Sequence, residues 1–179
     1  MAQAIAETVF DVLYLSFALI AGLTMLVKGK DPLVKKAGLM AALLGAGDAF
    51  HLVPRSYSLW TTGLKANAAA LGVGKFITSI TMTIFYLILY YIWRERYQIK
   101  EKKGLTLTMW VLSILRIALC FLPQNQWLEY RQPLAFGILR NIPFAIMGVI
   151  IIVIFAKEAG KGKDPVFRFM PLAVALSFG

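Results

Sequence analysis

The sequence is poor in the residues that build metal sites and covalent frameworks. It holds one cysteine, Cys120, and one histidine, His51, among 179 residues. A disulfide framework, a Cys/His zinc site and a bis-histidine haem within the chain are therefore excluded, and neither metal nor cofactor is expected. Acidic residues are also scarce, 9 Asp and Glu against 19 Lys and Arg. The first ten residues carry Glu7 and no lysine or arginine, unlike the basic start of a signal peptide. Two stretches, Phe76–Trp93 and Ile142–Ala156, contain no charge. A soluble helical bundle needs a polar face on each helix, and a membrane β-barrel needs period-two alternation. Neither pattern is present.

What is present is apolar. The chain is 59% hydrophobic with a mean hydropathy of +0.71, too much for the interior of a soluble domain of this size. Apolar runs occupy 8–27, 33–53, 73–93, 104–122, 137–156 and 165–179. About 20 such residues span ~30 Å of hydrocarbon. The predicted fold is all-α: one membrane-embedded domain over 1–179, a polytopic bundle of about six transmembrane helices. Asp31-Pro32 and Asp164-Pro165 read as helix starts, with Asp as cap and Pro in the first turn. Pro54 is expected to end or kink the second segment, and Pro123 ends the fourth. Met40, Met82, Met109 and Met147 read as packing residues.

Of the 19 basic residues, 13 fall in the connections after segments one, three and five. This bias puts those connections in the cytoplasm and the N-terminus outside, in a plasma (cytoplasmic) membrane. The net charge of +10 is thus distributed as loops beside anionic lipid, and the lipid bilayer rather than nucleic acid is the expected partner. Trp60, Trp127 and Tyr130 on one side, with Tyr90, Tyr91 and Trp93 on the other, are expected to form interfacial belts. The run Lys28-Gly-Lys-Asp-Pro32 recurs as Lys161-Gly-Lys-Asp-Pro165, suggesting a weak parallel repeat (28–32 and 161–165). The last segment rises only ~22 Å as a helix, which predicts a chain continuing beyond Gly179.

Charges inside a bilayer need an explanation. At ~1.5 Å per residue from the nearest cytoplasmic basic anchor, Asp48 lies at ~18 Å and Arg116 at ~20 Å. On the same scale Asp11 and Arg140 lie at ~25 Å, and Arg55 at ~28 Å. All fall in the outer half. Asp48, His51 and Arg55 follow i, i+3, i+7 spacing, one stripe of a helix, above the small-residue run Gly45-Ala-Gly47. Equal depth and opposite sign predict an Asp48–Arg116 pair. Glu7, Asp11 and Tyr14 share a face of the first segment, and Thr78, Ser79, Thr81 and Thr83 add hydroxyls from the third.

These residues are expected to line an outward-facing polar cavity. There Arg55, Arg116 and Arg140, with Asp11 and Tyr14, would bind a small anionic molecule or lipid headgroup. Asp48 and His51 would exchange a proton. A transporter-like protein for a small anion is the first functional expectation. A second comes from Ala41–Leu52: its Gly47-Asp48 resembles the Gly-Asp helix of lysoplasmalogenase-type membrane hydrolases over about a dozen residues of the chain. That resemblance implies a membrane-embedded enzyme acting on lipid, with acid–base chemistry at Asp48 and His51. The family's second acidic motif is absent. A non-catalytic scaffold or sensor is the third expectation.

Overall fold

A computed structural model describes residues 1–162 and 164–177, with only the backbone described at 160–162. Lys163 and Gly179, which belong to the repeated run and to the end of the sixth apolar segment, lie outside the described residues. The described residues form six helices: α1 (Ala2–Lys28), α2 (Pro32–Trp60), α3 (Ala68–Arg96), α4 (Lys103–Cys120), α5 (Leu134–Gly162) and α6 (Met170–Leu176). A single turn of 3₁₀-helix, Pro123–Asn125, follows α4. No strand occurs among the described residues. Five helices are long and apolar enough to cross a membrane. The sixth, Met170–Leu176, has seven residues and is not one of these candidate spans, in keeping with the short sixth segment read from the sequence. After Asp164 the chain makes turns over 165–169 before α6 begins.

Local chemistry explains most boundaries. Asp31 caps α2, its carboxylate accepting from the Leu33 N–H at 2.8 Å, with Pro32 in the first turn. Asp164 caps a turn in the same manner, accepting from the Val166 and Phe167 N–H groups at 2.9 and 3.2 Å. Pro123 follows the end of α4 as expected. Pro54 does not stop α2, which continues to Trp60. Proline cannot donate to the carbonyl four residues back, so the Phe50 carbonyl is released from the helix ladder. That oxygen lies against Gly74 of α3, which has no Cβ to exclude it.

The helices run alternately up and down between two faces. One face holds Met1 and the α2–α3 and α4–α5 connections, and is called the N-terminal face below. The opposite, basic face holds the remaining connections. There Lys36 pairs with Glu95, and Arg96 with Asp164 at 2.9 Å. Tyr97 also donates to Asp164, at 3.2 Å. The Arg96 guanidinium holds the Asp164 carboxyl down at about 2, while burial and the nearby carboxylate push the Tyr97 phenol up to about 12.

Helices α1, α2 and α3 meet through small residues. A Cβ on Gly22 would lie 2.5 Å from the Ala42 nitrogen, and one on Gly38 would lie 2.7 Å from the Leu26 nitrogen. The expected small surface is real as well: Gly45 faces Ala18 and Leu19 of α1, and Gly47 faces Thr81 of α3. The other half is packed by large side chains. Tyr86, Tyr90 and Trp93 of α3, Met109 of α4, and Met147, Ile151 and Phe155 of α5 are buried together, with Met40 and Met82 packed against them. The methionines are packing residues, as their apolar settings predicted. Tyr90 and Trp93 are not interfacial: both are fully buried, and the Trp93 indole N–H donates to the Ile154 carbonyl at 3.2 Å. Their aromatic area is used inside the bundle, where it fills the gap between α3 and α5.

Candidate functional site

Apart from Arg116 and Arg140, the predicted site residues separate into three groups at the N-terminal half of the bundle. The first is the α1–α2 seam, a ladder of polar contacts. Glu7 holds Arg55 through two hydrogen bonds, at 2.9 and 3.2 Å. Asp11 accepts from the Ser56 hydroxyl at 2.8 Å, and Asp48 accepts from the Tyr14 hydroxyl at 2.7 Å. The shared face of Glu7, Asp11 and Tyr14 is thus fully engaged with α2.

The second group is a small chamber of about 90 Å³ between α2, α3 and the α4–α5 connection. His51, Arg55 and Lys75 bring three basic groups to its wall, and Glu129, Tyr130 and Gln132 close the other side. The Nδ1 of His51 is buried without a hydrogen-bond partner. Arg55, Lys75 and Asp11 are its charged neighbours. A wider surface groove of about 840 Å³, carrying Lys65 and Arg131, shares Glu129 and Tyr130 with the chamber and leads to it.

The third group surrounds Asp48. A cavity of about 420 Å³ is walled by Leu44, Met82, Phe85, Met170 and Val174. Its polar groups are Asp48, Tyr14, Thr78, Tyr86 and Ser177. Thr78 donates to the Gly47 carbonyl at 3.0 Å, which fixes α3 against the backbone just before Asp48. Ser79, Thr81 and Thr83 instead bond back to carbonyls of their own helix, at Lys75, Thr78 and Ser79.

The expected Asp48–Arg116 pair is not formed. Arg116 is 4% exposed and stacks on the Phe144 ring, 3.6 Å from the guanidinium carbon to the ring centre. Among the described residues its one hydrogen bond runs to Asn141 at 3.5 Å. Helix α2 packs on α1 and α3, whereas α4 packs on α3 and α5, so equal depth does not bring the two charges together. Arg140 also departs from the expected cluster, lying over Trp127 and donating to Asn125 at 2.8 Å. Asp48 and His51 stand one turn apart on α2 but open into different cavities.

Three chamber residues, Lys75, Glu129 and Gln132, were not singled out from the sequence. Lys75 carries a signal that was available: it lies three residues before Thr78, on the same face of α3 and at the depth of His51. Glu129 and Gln132 come from an irregular connection and had none.

The fold, with its long apolar helices, defines an integral membrane protein of the helical-bundle class. The chain matches no protein-family model, no curated protein sequence and no solved structure.

Proposed function

We propose that this chain is a transporter-like membrane protein that binds a small oxyanion, a carboxylate or phosphate, in the chamber of His51, Arg55 and Lys75. The observation carrying this reading is the convergence of three basic groups on one cavity, with a buried His51 nitrogen free to bond a ligand. A cavity needs ~10–15 Å³ to hold a water, so about 90 Å³ admits one small oxyanion or several waters. Arg55 is already oriented by Glu7, which leaves Lys75 and His51 as the groups free to meet the anion. With the basic face in the cytoplasm, as the distribution of lysine and arginine favours, the chamber opens outward.

The test uses the whole protein in phosphatidylcholine vesicles, with radiolabelled inorganic phosphate and acetate as probes. Protein-dependent uptake of either anion is expected, with a loss of about tenfold in Lys75→Met, the order expected of a desolvated charge contact. No protein-dependent binding or uptake of either probe refutes the reading.

The apolar cavity around Asp48 favours a second reading, an enzyme acting on lipid, in keeping with the resemblance at Gly47-Asp48. An acyl chain fits apolar walls, and the Asp48 carboxyl, oriented by Tyr14, supplies the acid–base group. Here His51 stays outside the reaction because it opens elsewhere. Lipid turnover by purified protein, lost in Asp48→Asn and kept in His51→Ala, is the expected result. Absence of turnover refutes it.

A further inference from the structure

Among the described residues, two guanidinium groups near the N-terminal face have no carboxylate partner. The Nε and Nη1 of Arg116 are buried without any hydrogen-bond partner. Its contact with Asn141 is at the outer limit of a hydrogen bond. Arg140 has Trp127 and the neutral Asn125 as its partners. The described acids of this half stand elsewhere: Glu7 holds Arg55, Asp11 bonds Ser56, Asp48 bonds Tyr14, and Glu129 lines the chamber of His51 and Lys75. A buried guanidinium without a counter-charge is costly, so an anion reaching these two groups gains strongly.

Their depth and surroundings specify the anion. Arg116 lies four residues before the end of α4, ~6 Å from that end at 1.5 Å per residue, within reach of a headgroup layer. Beside them α5 presents an apolar groove of about 480 Å³, walled by Leu134, Gly137, Ile138, Ile142 and Ala145. Both arginines stand behind it. Asn141, exposed in the groove, touches Arg116. At Gly137 a Cβ would come within 4.0 Å of the Arg140 Nη2. An apolar trough with two cations just behind its polar residue, Asn141, has the complementarity of an amphiphile with an acidic head.

We propose that this groove on α5 is a binding site for one anionic phospholipid. Its acyl chain lies along Ile138 and Ile142, and its phosphate is held between Arg116 and Arg140. The Asn141 amide turns aside on binding, exposing the Arg116 fork to phosphate oxygens. A second positive charge on the headgroup, as in a choline lipid, is repelled by the guanidinium pair. The site therefore selects net negative lipid, and it is separate from the chamber on α2 and α3.

The experiment is native mass spectrometry of the delipidated protein titrated with phosphatidylglycerol and with phosphatidylcholine. Preferential retention of one phosphatidylglycerol, by about tenfold, is expected. Arg116→Gln reduces that preference to near unity. Arg116→Lys, which keeps the charge and loses the fork, leaves an intermediate value and serves if the glutamine variant does not fold. Excess inorganic phosphate does not displace the lipid, because it lacks the chain. Equal retention of the two lipids by the unaltered protein overturns the proposal, as does full preference in Arg116→Gln or in Arg116→Lys. Displacement by inorganic phosphate also overturns it, and assigns the arginines to a free ion.

Discussion

Gly74→Ala tests how α2 and α3 are held and whether that packing shapes the chamber. A Cβ there would stand 2.7 Å from both the His51 Cα and the Phe50 carbonyl carbon, and closer still to the Phe50 oxygen. These are backbone atoms, so no rotamer change relieves the overlap. Carbon atoms rest at roughly 3.5–4.0 Å, so the two helices must part by about 1 Å. Overpacking of this kind costs about 1–3 kcal/mol, and alanine returns up to about 1 kcal/mol of helix propensity. Because the obstructing atoms cannot move aside, a net loss of about 1–2 kcal/mol is expected, or roughly 2–8 °C in Tm for a chain of this size. Tryptophan fluorescence during thermal unfolding in detergent reads the loss. Gly104→Ala is the control, because its Cβ meets nothing within 4 Å and should leave Tm unchanged or slightly raised. Lys75 follows Gly74 directly and His51 faces it, so phosphate binding should weaken in Gly74→Ala and not in the control. Equal melting of Gly74→Ala and the unaltered protein would refute the close backbone approach.

Three further outcomes follow from the packing and the charges. The Asp164 carboxyl is held at about 2 against an ordinary 3.8, chiefly by Arg96. A depressed carboxyl stabilises above its unfolded value, so this contribution is intact above pH 4 and is lost as the pH falls toward 2. Asp164→Asn should flatten the fall in Tm over that window. At pH 7 the loss of the ion pair should be below about 1 kcal/mol, because the Arg96 side chain is 39% exposed. Trp93→Ala empties the centre of the core and should cost about 3–5 kcal/mol, while Trp93→Phe should cost about 1 kcal/mol for the lost bond to Ile154. SDS-induced unfolding separates these two values, and near-equal losses would contradict the packing described. A double-mutant cycle on Glu7 and Arg55, whose side chains are 27% and 35% exposed, should return a coupling no larger than that of an ordinary exposed ion pair in a detergent micelle.

The charge-free runs made the helical membrane class legible, because Phe76–Trp93 and Ile142–Ala156 lie in helices long and apolar enough to cross a bilayer. The Asp-Pro caps and the small-residue face of α2 were legible for the same reason: each acts within one or two helical turns. Helix ends were less so. Charges such as Glu7 and Arg55 looked like breaks in apolar runs, yet they satisfy each other across α1 and α2 and allow both helices to continue. Depth along a helix follows from counting residues, and so the candidate charges were found. Which helix stands beside which does not follow from counting. Asp48 was therefore matched to Arg116 when its actual partner is Tyr14, and Lys75 was passed over though it faces His51.

The two halves of the bundle are joined by different materials, and they should bear mutation differently. Where Gly22, Gly38 and Gly74 let backbones touch, every alternative residue is larger, and no neighbouring change restores the fit. Around Trp93, Phe155 and Met147, a loss of volume in one side chain can be made good by a gain in another. Variation among descendants of this chain should therefore gather in the α3–α5 interior as compensating pairs. Along the α1–α2–α3 seams the same spacing of small residues should persist, because that half offers evolution no second solution.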